Sequence, residues 1–165
     1  MRLLAVALSL VALVVVGCSK PDPPVLTPQS AKVTGVTFAG VSLELRLEAF
    51  NPNSSELSAR SVTGKVVLDG RVDLGTAKVA SAIRLPAGAR TTLDVPLALT
   101  WTDVSALAVL ASSNRAIPYT IDGTVTVGGE RLNVDLPFHM DGSITHEEMV
   151  QATSRSLPPG VKLPF

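Results

Sequence analysis

The chain has 165 residues, a length that suits one domain rather than two. Its 14 basic and 14 acidic side chains balance, which argues against a protein that holds nucleic acid by neutralising phosphates, because that requires a basic surface. Aromatic residues make up only 4% of the chain, which also argues against stacking surfaces for single-stranded bases.

The N-terminus predicts an export signal. Residues 3–16 are apolar except for Ser9, and Arg2 precedes them. A charged start followed by a short apolar run is typical of a secretory signal peptide. A transmembrane helix is the alternative, but it needs about 20 apolar residues, and this run ends at Val16. We therefore predict a signal peptide over residues 1–17, which accounts for much of the mean hydropathy of +0.37.

The apolar run leads into Val15-Val16-Gly17-Cys18, and Cys18 is the only cysteine in the chain. This tetrapeptide resembles the lipobox of bacterial lipoproteins, in which the cysteine thiol receives a diacylglycerol and the signal is cut just before it. The alternative, an ordinary signal peptide with a free cysteine, would show small residues in an A-x-A arrangement. The resemblance implies lipidation at Cys18. Ser19 favours the outer membrane, facing the periplasm, because Asp at that position marks inner-membrane retention in some bacteria.

A proline-rich segment follows the cysteine. Residues 21–28 contain four prolines, which favour a stiff, extended conformation. We predict a lipidated N-terminus and tether over residues 18–30 that holds the domain off the bilayer. An ordered N-terminal extension is the alternative.

The body of the chain alternates apolar and polar residues, a pattern typical of half-buried strands. Asp69-Gly70 predicts a tight hairpin turn. Pro96 lies within an alternating run and indicates an edge strand or a bulge. These signals predict an all-β antiparallel sandwich of about seven strands over residues 31–142. The predicted strands are 31–38, 41–50, 62–69, 71–83, 91–99, 119–127 and 132–138.

Two segments have helical rather than β periodicity. Thr102 is a candidate N-cap, and apolar residues at helical spacing predict one short helix over about 102–113. Thr145 and Glu148 have capping-box spacing, which indicates a possible second short helix within a C-terminal tail over residues 143–165.

The elements of the body follow one another in a recognisable order: Asn51-Pro52-Asn53 after a strand, a hairpin over 66–70, Gly75, a turn over 86–88, a strand over 93–97, a helix start near 103 and a strand over 119–125. This order resembles the WHy (water stress and hypersensitive response) domain of the group 2 late embryogenesis abundant proteins. The resemblance implies a fibronectin type III-like sandwich and a non-enzymatic role in desiccation or stress, including protection of other proteins. The lipoprotein signal departs from the plant members and argues against a cytosolic role.

The tripeptide Asn51-Pro52-Asn53 has a physical reason to end a strand. Pro52 fixes φ and cannot donate to a sheet, while asparagine side chains bond to turn backbone. We predict a structural turn at these three residues, and a ligand-binding role is the alternative.

The sequence offers little support for catalysis or metal binding. His146-Glu147 begins like a zincin helix, but Val150 stands where H-E-x-x-H needs its second histidine. His139, Asp141 and His146 are a conceivable metal set, although such scattered residues are more often ordinary surface. We predict no catalytic residue, metal, cofactor or small-molecule substrate.

The combined prediction is a non-catalytic, lipid-anchored envelope protein. It would protect or stabilise client proteins and other envelope components under stress. The alternative is an assembly or protein-binding module that engages one specific envelope partner.

The anchor is testable by substitution. Cys18→Ala removes the thiol that would carry the lipid, so we expect the protein to leave the membrane fraction. Cell fractionation followed by immunoblotting measures this, and unchanged membrane association would contradict the lipoprotein prediction.

Overall fold

The computed structural model describes residues 21–37, 39–101, 115–130 and 132–156. The predicted signal peptide, Cys18 and the predicted helix over 102–113 lie outside the described residues. The described elements are seven strands and a helix: β1 (Val25–Val36), β2 (Gly40–Phe50), β3 (Leu57–Leu68), β4 (Val72–Leu85), β5 (Arg90–Thr100), β6 (Ile117–Gly128), β7 (Asn133–Ile144) and α1 (His146–Ser156).

The strands form two antiparallel sheets. One has the order β1-β2-β5, and the other has the order β4-β3-β6-β7. The chain crosses between the sheets after β2, β4 and β5, so neither sheet is formed from consecutive strands alone. The predicted all-β sandwich of seven strands is confirmed, and its three-plus-four division fits a fibronectin type III-like arrangement.

Alternating side chains from both sheets form the core. Along β2, the apolar residues at every second position from Val41 to Ala49 are buried, and the residues between them face outward. The facing sheet contributes apolar residues such as Val62, Ile121 and Val125, each completely buried. Removing this apolar surface from water is the main term that stabilises the sandwich.

The first strand begins earlier than the sequence indicated. Val25 already pairs with Phe50, so residues 25–30, which fell within the predicted tether, form the start of β1. Pro28 lies within this strand and is tolerated because β1 is at the edge of its sheet, where a missing N–H removes no ladder bond. A register shift follows between Pro28 and Ser30.

The predicted turn at Asp69-Gly70 is confirmed. Both residues have positive φ, 52° and 65°, and the Arg71 amide donates to the Leu68 carbonyl at 3.0 Å. Positive φ at both central positions is typical of a two-residue hairpin turn, because it matches the right-handed twist of the flanking strands. The Asp69 carboxylate pairs with Arg115 at 2.8 Å and with Arg71. The bonds from Arg115 and then Arg71 lower the pKa of Asp69.

The prediction for Pro96 is also confirmed, because β5 is an edge strand of the three-stranded sheet. Pro96 lies opposite Glu44 and faces solvent. An edge position tolerates proline because its missing N–H would point away from the sheet.

The predicted second helix is present as α1. The Thr145 hydroxyl accepts from the Glu148 amide at 3.2 Å, while the Glu148 carboxylate accepts from the Thr145 amide at 2.8 Å, which is a capping box. The helix contacts β1 and buries Ala152 completely. Across the described ranges, helices long and apolar enough to cross a bilayer are absent.

Tyr119 links the two sheets. Its hydroxyl donates from β6 to the Ala31 carbonyl of β1 at 3.3 Å. Burial, more than the nearby carboxylates of Glu148 and Asp141, raises the pKa of this phenol, which keeps the donor proton in place. The ring covers Gly142 on the neighbouring strand: a Cβ added there would lie 2.5 Å from the Tyr119 oxygen.

The Tyr119–Gly142 contact predicts a destabilising substitution. Gly142→Ala should displace the ring and lower the free energy of unfolding by about 1–3 kcal/mol, the usual cost of overpacking. Urea denaturation measures the change. In a Tyr119→Leu background the same substitution should cost less, because the ring that it meets is gone; an unchanged cost would contradict this explanation.

Candidate functional site

The loop and turns at one end of the sandwich converge on Asn51. This end, which we call the N-P-N end, comprises residues 51–56, 86–89, 129, 130 and 132. Asn51 is the one polar residue that is buried among the described residues, and its exposed fraction is 0%. Its amide nitrogen donates to the Leu85 carbonyl at 2.9 Å, to the Ser55 carbonyl at 2.9 Å and to the Pro86 carbonyl at 3.3 Å.

These bonds join the two sheets. Asn51 follows directly after β2 in one sheet, and Leu85 is the last residue of β4 in the other. The Asn51 backbone amide also donates to the Ala89 carbonyl at 3.0 Å, just before β5. Buried backbone carbonyls need hydrogen-bond donors. The Asn51 side chain donates to the carbonyls where the chain passes between the two sheets.

Asn53 extends the same network towards the N-terminus. Its amide nitrogen donates to the Asn51 side-chain oxygen at 3.0 Å and to the Asp22 carbonyl at 2.7 Å. The Asp22 amide donates back to the Asn53 side-chain oxygen at 2.8 Å. This reciprocal pair fixes residue 22 against the loop. The sequence pattern places Asn53 in the turn but gives no sign of this contact, because nothing in local spacing links positions 31 residues apart.

Pro52 lies between the two asparagines and faces solvent. It follows β2, which ends at Phe50. Beside it, Arg90 pairs with Glu48 at 2.6 Å and stacks its guanidinium 5.2 Å from the Phe50 ring centroid. The described geometry of the tripeptide is that of a turn whose side chains bond to backbone.

A narrow apolar crevice opens between the sheets towards the opposite end. Tyr119 and Met149 of α1 lie at its rim, and its walls are apolar core side chains. The lining residues are Val41, Leu43, Val66, Leu68, Leu74, Tyr119, Ile144 and Met149. Among the lining side chains, only Tyr119 carries a nitrogen or oxygen atom, and its hydroxyl already donates to the Ala31 carbonyl.

The two histidines lie on different elements, His139 in β7 and His146 in α1. His139 bonds through Nδ1 to Asp122 on the neighbouring strand at 2.7 Å, and its Nε2 lies 3.6 Å from Asp141. His146 begins α1 instead. Within the described part of the chain, no cluster of three or more His, Cys, Asp or Glu side chains is arranged to hold a metal ion. The bond to Asp122, with a smaller contribution from Asp141, raises the pKa of His139.

The outer faces of the sheets carry cross-strand ion pairs. Arg46 pairs with Asp94 at 2.6 Å, and Lys65 pairs with Asp73 at 2.8 Å. All four side chains are about half exposed, so each pair adds little to stability in water. They place charges of both signs side by side on these outer faces.

Residues 46–142 match LEA_2, the family described as late embryogenesis abundant protein. This range covers more than half of the chain and runs from the middle of β2 almost to the end of β7. The chain therefore belongs to the late embryogenesis abundant protein family. The family is associated with stress and desiccation and is generally non-enzymatic.

Solved structures resemble the sandwich. The solution structure of AT1g01470 from Arabidopsis thaliana has a TM-score of 0.61 at 20% identity, covering 77% of this chain and 83% of that one. The solution structure of a putative late embryogenesis abundant protein, At2g46140.1, gives 0.58 at 20% identity, covering 87% and 80%. A crystal structure of a protein from Archaeoglobus fulgidus gives 0.51 at 13% identity, covering 76% and 96%. No curated protein matches the chain. At these identities the likeness concerns the fold.

The buried amide of Asn51 generates a stability prediction. Asn51→Ala leaves the carbonyls of Ser55, Leu85 and Pro86 without this donor. The free energy of unfolding should therefore fall by about 1–3 kcal/mol. Chemical denaturation measures the loss. Asn53→Ala is the matched control and should cost less, because water can reach its half-exposed position; equal losses would contradict the role of burial.

The contact between His139 and Asp122 predicts a pH effect. The pKa of His139 is raised in the folded state, so the contact stabilises the fold fully at pH values below the ordinary histidine pKa of about 6.5. That contribution is lost as pH rises through the folded-state value. Asp122→Asn should lower the pKa of His139, as measured by NMR titration of its ring protons. Asp141→Asn should have a smaller effect, and the reverse order would refute this assignment.

Proposed function

We propose that this protein is a non-catalytic envelope protein with a WHy-type domain, anchored by a lipid on Cys18. It stabilises neighbouring envelope components and client proteins when water is withdrawn. The observation that carries the proposal is the family match over residues 46–142, which covers the sandwich from the middle of β2 almost to the end of β7. The lipid anchor rests on the sequence Val15-Val16-Gly17-Cys18.

The interior of the sandwich supports a role under drying conditions. Every buried side-chain nitrogen or oxygen in the described residues has a hydrogen-bond partner. Asn51 satisfies its amide with protein carbonyls rather than with solvent. Such a core keeps its polar contacts when water activity falls. The exposed ion pairs, such as Arg46–Asp94, strengthen as the dielectric around them drops.

The second candidate, an assembly module, is favoured by the open edges of the sheets. β4 is an edge strand of 14 residues, and an exposed edge can pair with a strand of another protein. The two functions differ in stoichiometry. An assembly module should crosslink in cells to one partner at a fixed ratio, whereas a protective protein should crosslink to many.

Drying assays test the protective function. Lipid vesicles that carry the acylated protein should retain an entrapped dye through drying and rehydration better than bare vesicles do. The Cys18→Ala protein, added at equal concentration, should protect vesicles less, because it no longer concentrates at the bilayer. It should protect a soluble test enzyme as well as the native domain does.

The Asn51→Ala protein is the folding control. If protection depends on the folded sandwich, this variant should lose protection at temperatures where it unfolds and the native domain does not. Equal dye loss with and without the acylated protein would overturn the protective function.

A further inference from the structure

The N-terminal segment is held at the N-P-N end before it enters the sheet. Asp22 exchanges two hydrogen bonds with the Asn53 side chain, at 2.8 and 2.7 Å. Pro24 is buried, and Val25 begins β1 opposite Phe50. Residues 22–25 therefore follow the end of the sandwich instead of extending away from it.

The chain length between Cys18 and this contact is short. Four residue steps separate Cys18 from Asp22, and four extended steps span at most about 14 Å. The eleven residues of β2 rise about 36 Å along the sandwich. A lipid on Cys18 can therefore lie beside the N-P-N end, but it cannot reach the opposite end, where the turn at Asp69-Gly70 lies.

We propose that the N-P-N end faces the bilayer and that Asn53 is a latch that holds the anchored segment against it. This orientation rests on the proposed lipid at Cys18. Without the latch, the first fixed residue would be the buried Pro24, and the reach from Cys18 would increase to about 22 Å. The latch thus sets how closely and how uniformly the sandwich is held over the lipid surface.

The side chains at the N-P-N end are compatible with a position next to the bilayer. Val25 is 57% exposed there, and Pro52 and Ala87 also face solvent. Charges of both signs are present, with Glu56 exposed in the loop and Arg90 at the start of β5. The orientation follows from the short connection rather than from attraction to anionic lipid. It presents the opposite end, with the start of α1, to the aqueous side.

The single native cysteine makes the orientation measurable. Because Cys18 is consumed by the lipid, an introduced cysteine is the one free thiol and can carry a fluorophore. Ala87→Cys places the label in an exposed turn of the N-P-N end, and Ser143→Cys places it near the end of β7 at the opposite end. The acylated proteins are reconstituted into vesicles whose lipid headgroups carry a nitroxide quencher.

We expect the label at position 87 to lose most of its fluorescence in quencher-containing vesicles and the label at position 143 to keep it. Neutral and anionic vesicles should give the same result. Adding Asn53→Ala should reduce the quenching at position 87, because the longer connection lets the domain move away. Ser54→Ala, an exposed neighbour in the same loop, should leave it unchanged.

Equal quenching at both positions, or stronger quenching at position 143, would overturn the orientation. Quenching at position 87 that is unaffected by Asn53→Ala would overturn the latch. Mass spectrometry of the N-terminal peptide separates this failure from failure of the proposed anchor. An acylated Cys18 with equal quenching refutes the orientation alone, whereas an unmodified Cys18 refutes the anchor and the orientation with it.

Discussion

The structure depends on one buried amide. Asn51 directly follows β2, where the chain passes from one sheet to the other. Its side chain donates to the carbonyls of Leu85 and Pro86, at the end of β4 and just after it. A sandwich needs such a crossing, and the crossing strands carry backbone groups that no neighbouring strand can satisfy. An asparagine side chain supplies donor and acceptor in one planar group, without the cost of burying a charge.

The same amide connects the fold to the proposed anchor. Asn51 accepts from Asn53, and Asn53 bonds to Asp22. The loop that closes the sandwich is therefore also the loop that fixes the N-terminal segment. In a protein held by a lipid at Cys18, this turn would lie at the end of the domain that faces the membrane.

The distribution of polar groups separates the interior from the surface. Inside, Asn51 and Tyr119 each link the two sheets by bonds to backbone carbonyls. Outside, carboxylates and cations pair across neighbouring strands, as Arg46 does with Asp94. His139 belongs to this outer set, since it pairs with Asp122 across the β6–β7 ladder. These polar groups are engaged in holding neighbouring strands together.

Local patterns in the sequence predicted the presence of seven strands, the hairpin at Asp69-Gly70, the edge position of Pro96 and the capping box at Thr145, because each depends on alternation or on residues a few positions apart. The sequence also pointed to Asn51-Pro52-Asn53 as a turn. It placed the start of the domain too late, because four prolines suggested a free tether, and edge pairing overrode that local preference. The bonds from Asn51 to Leu85 and Pro86, and the contact of Asn53 with Asp22, could not be predicted in this way. They join residues 31 to 35 positions apart, and their partners are brought together by packing the two sheets, which no local pattern records.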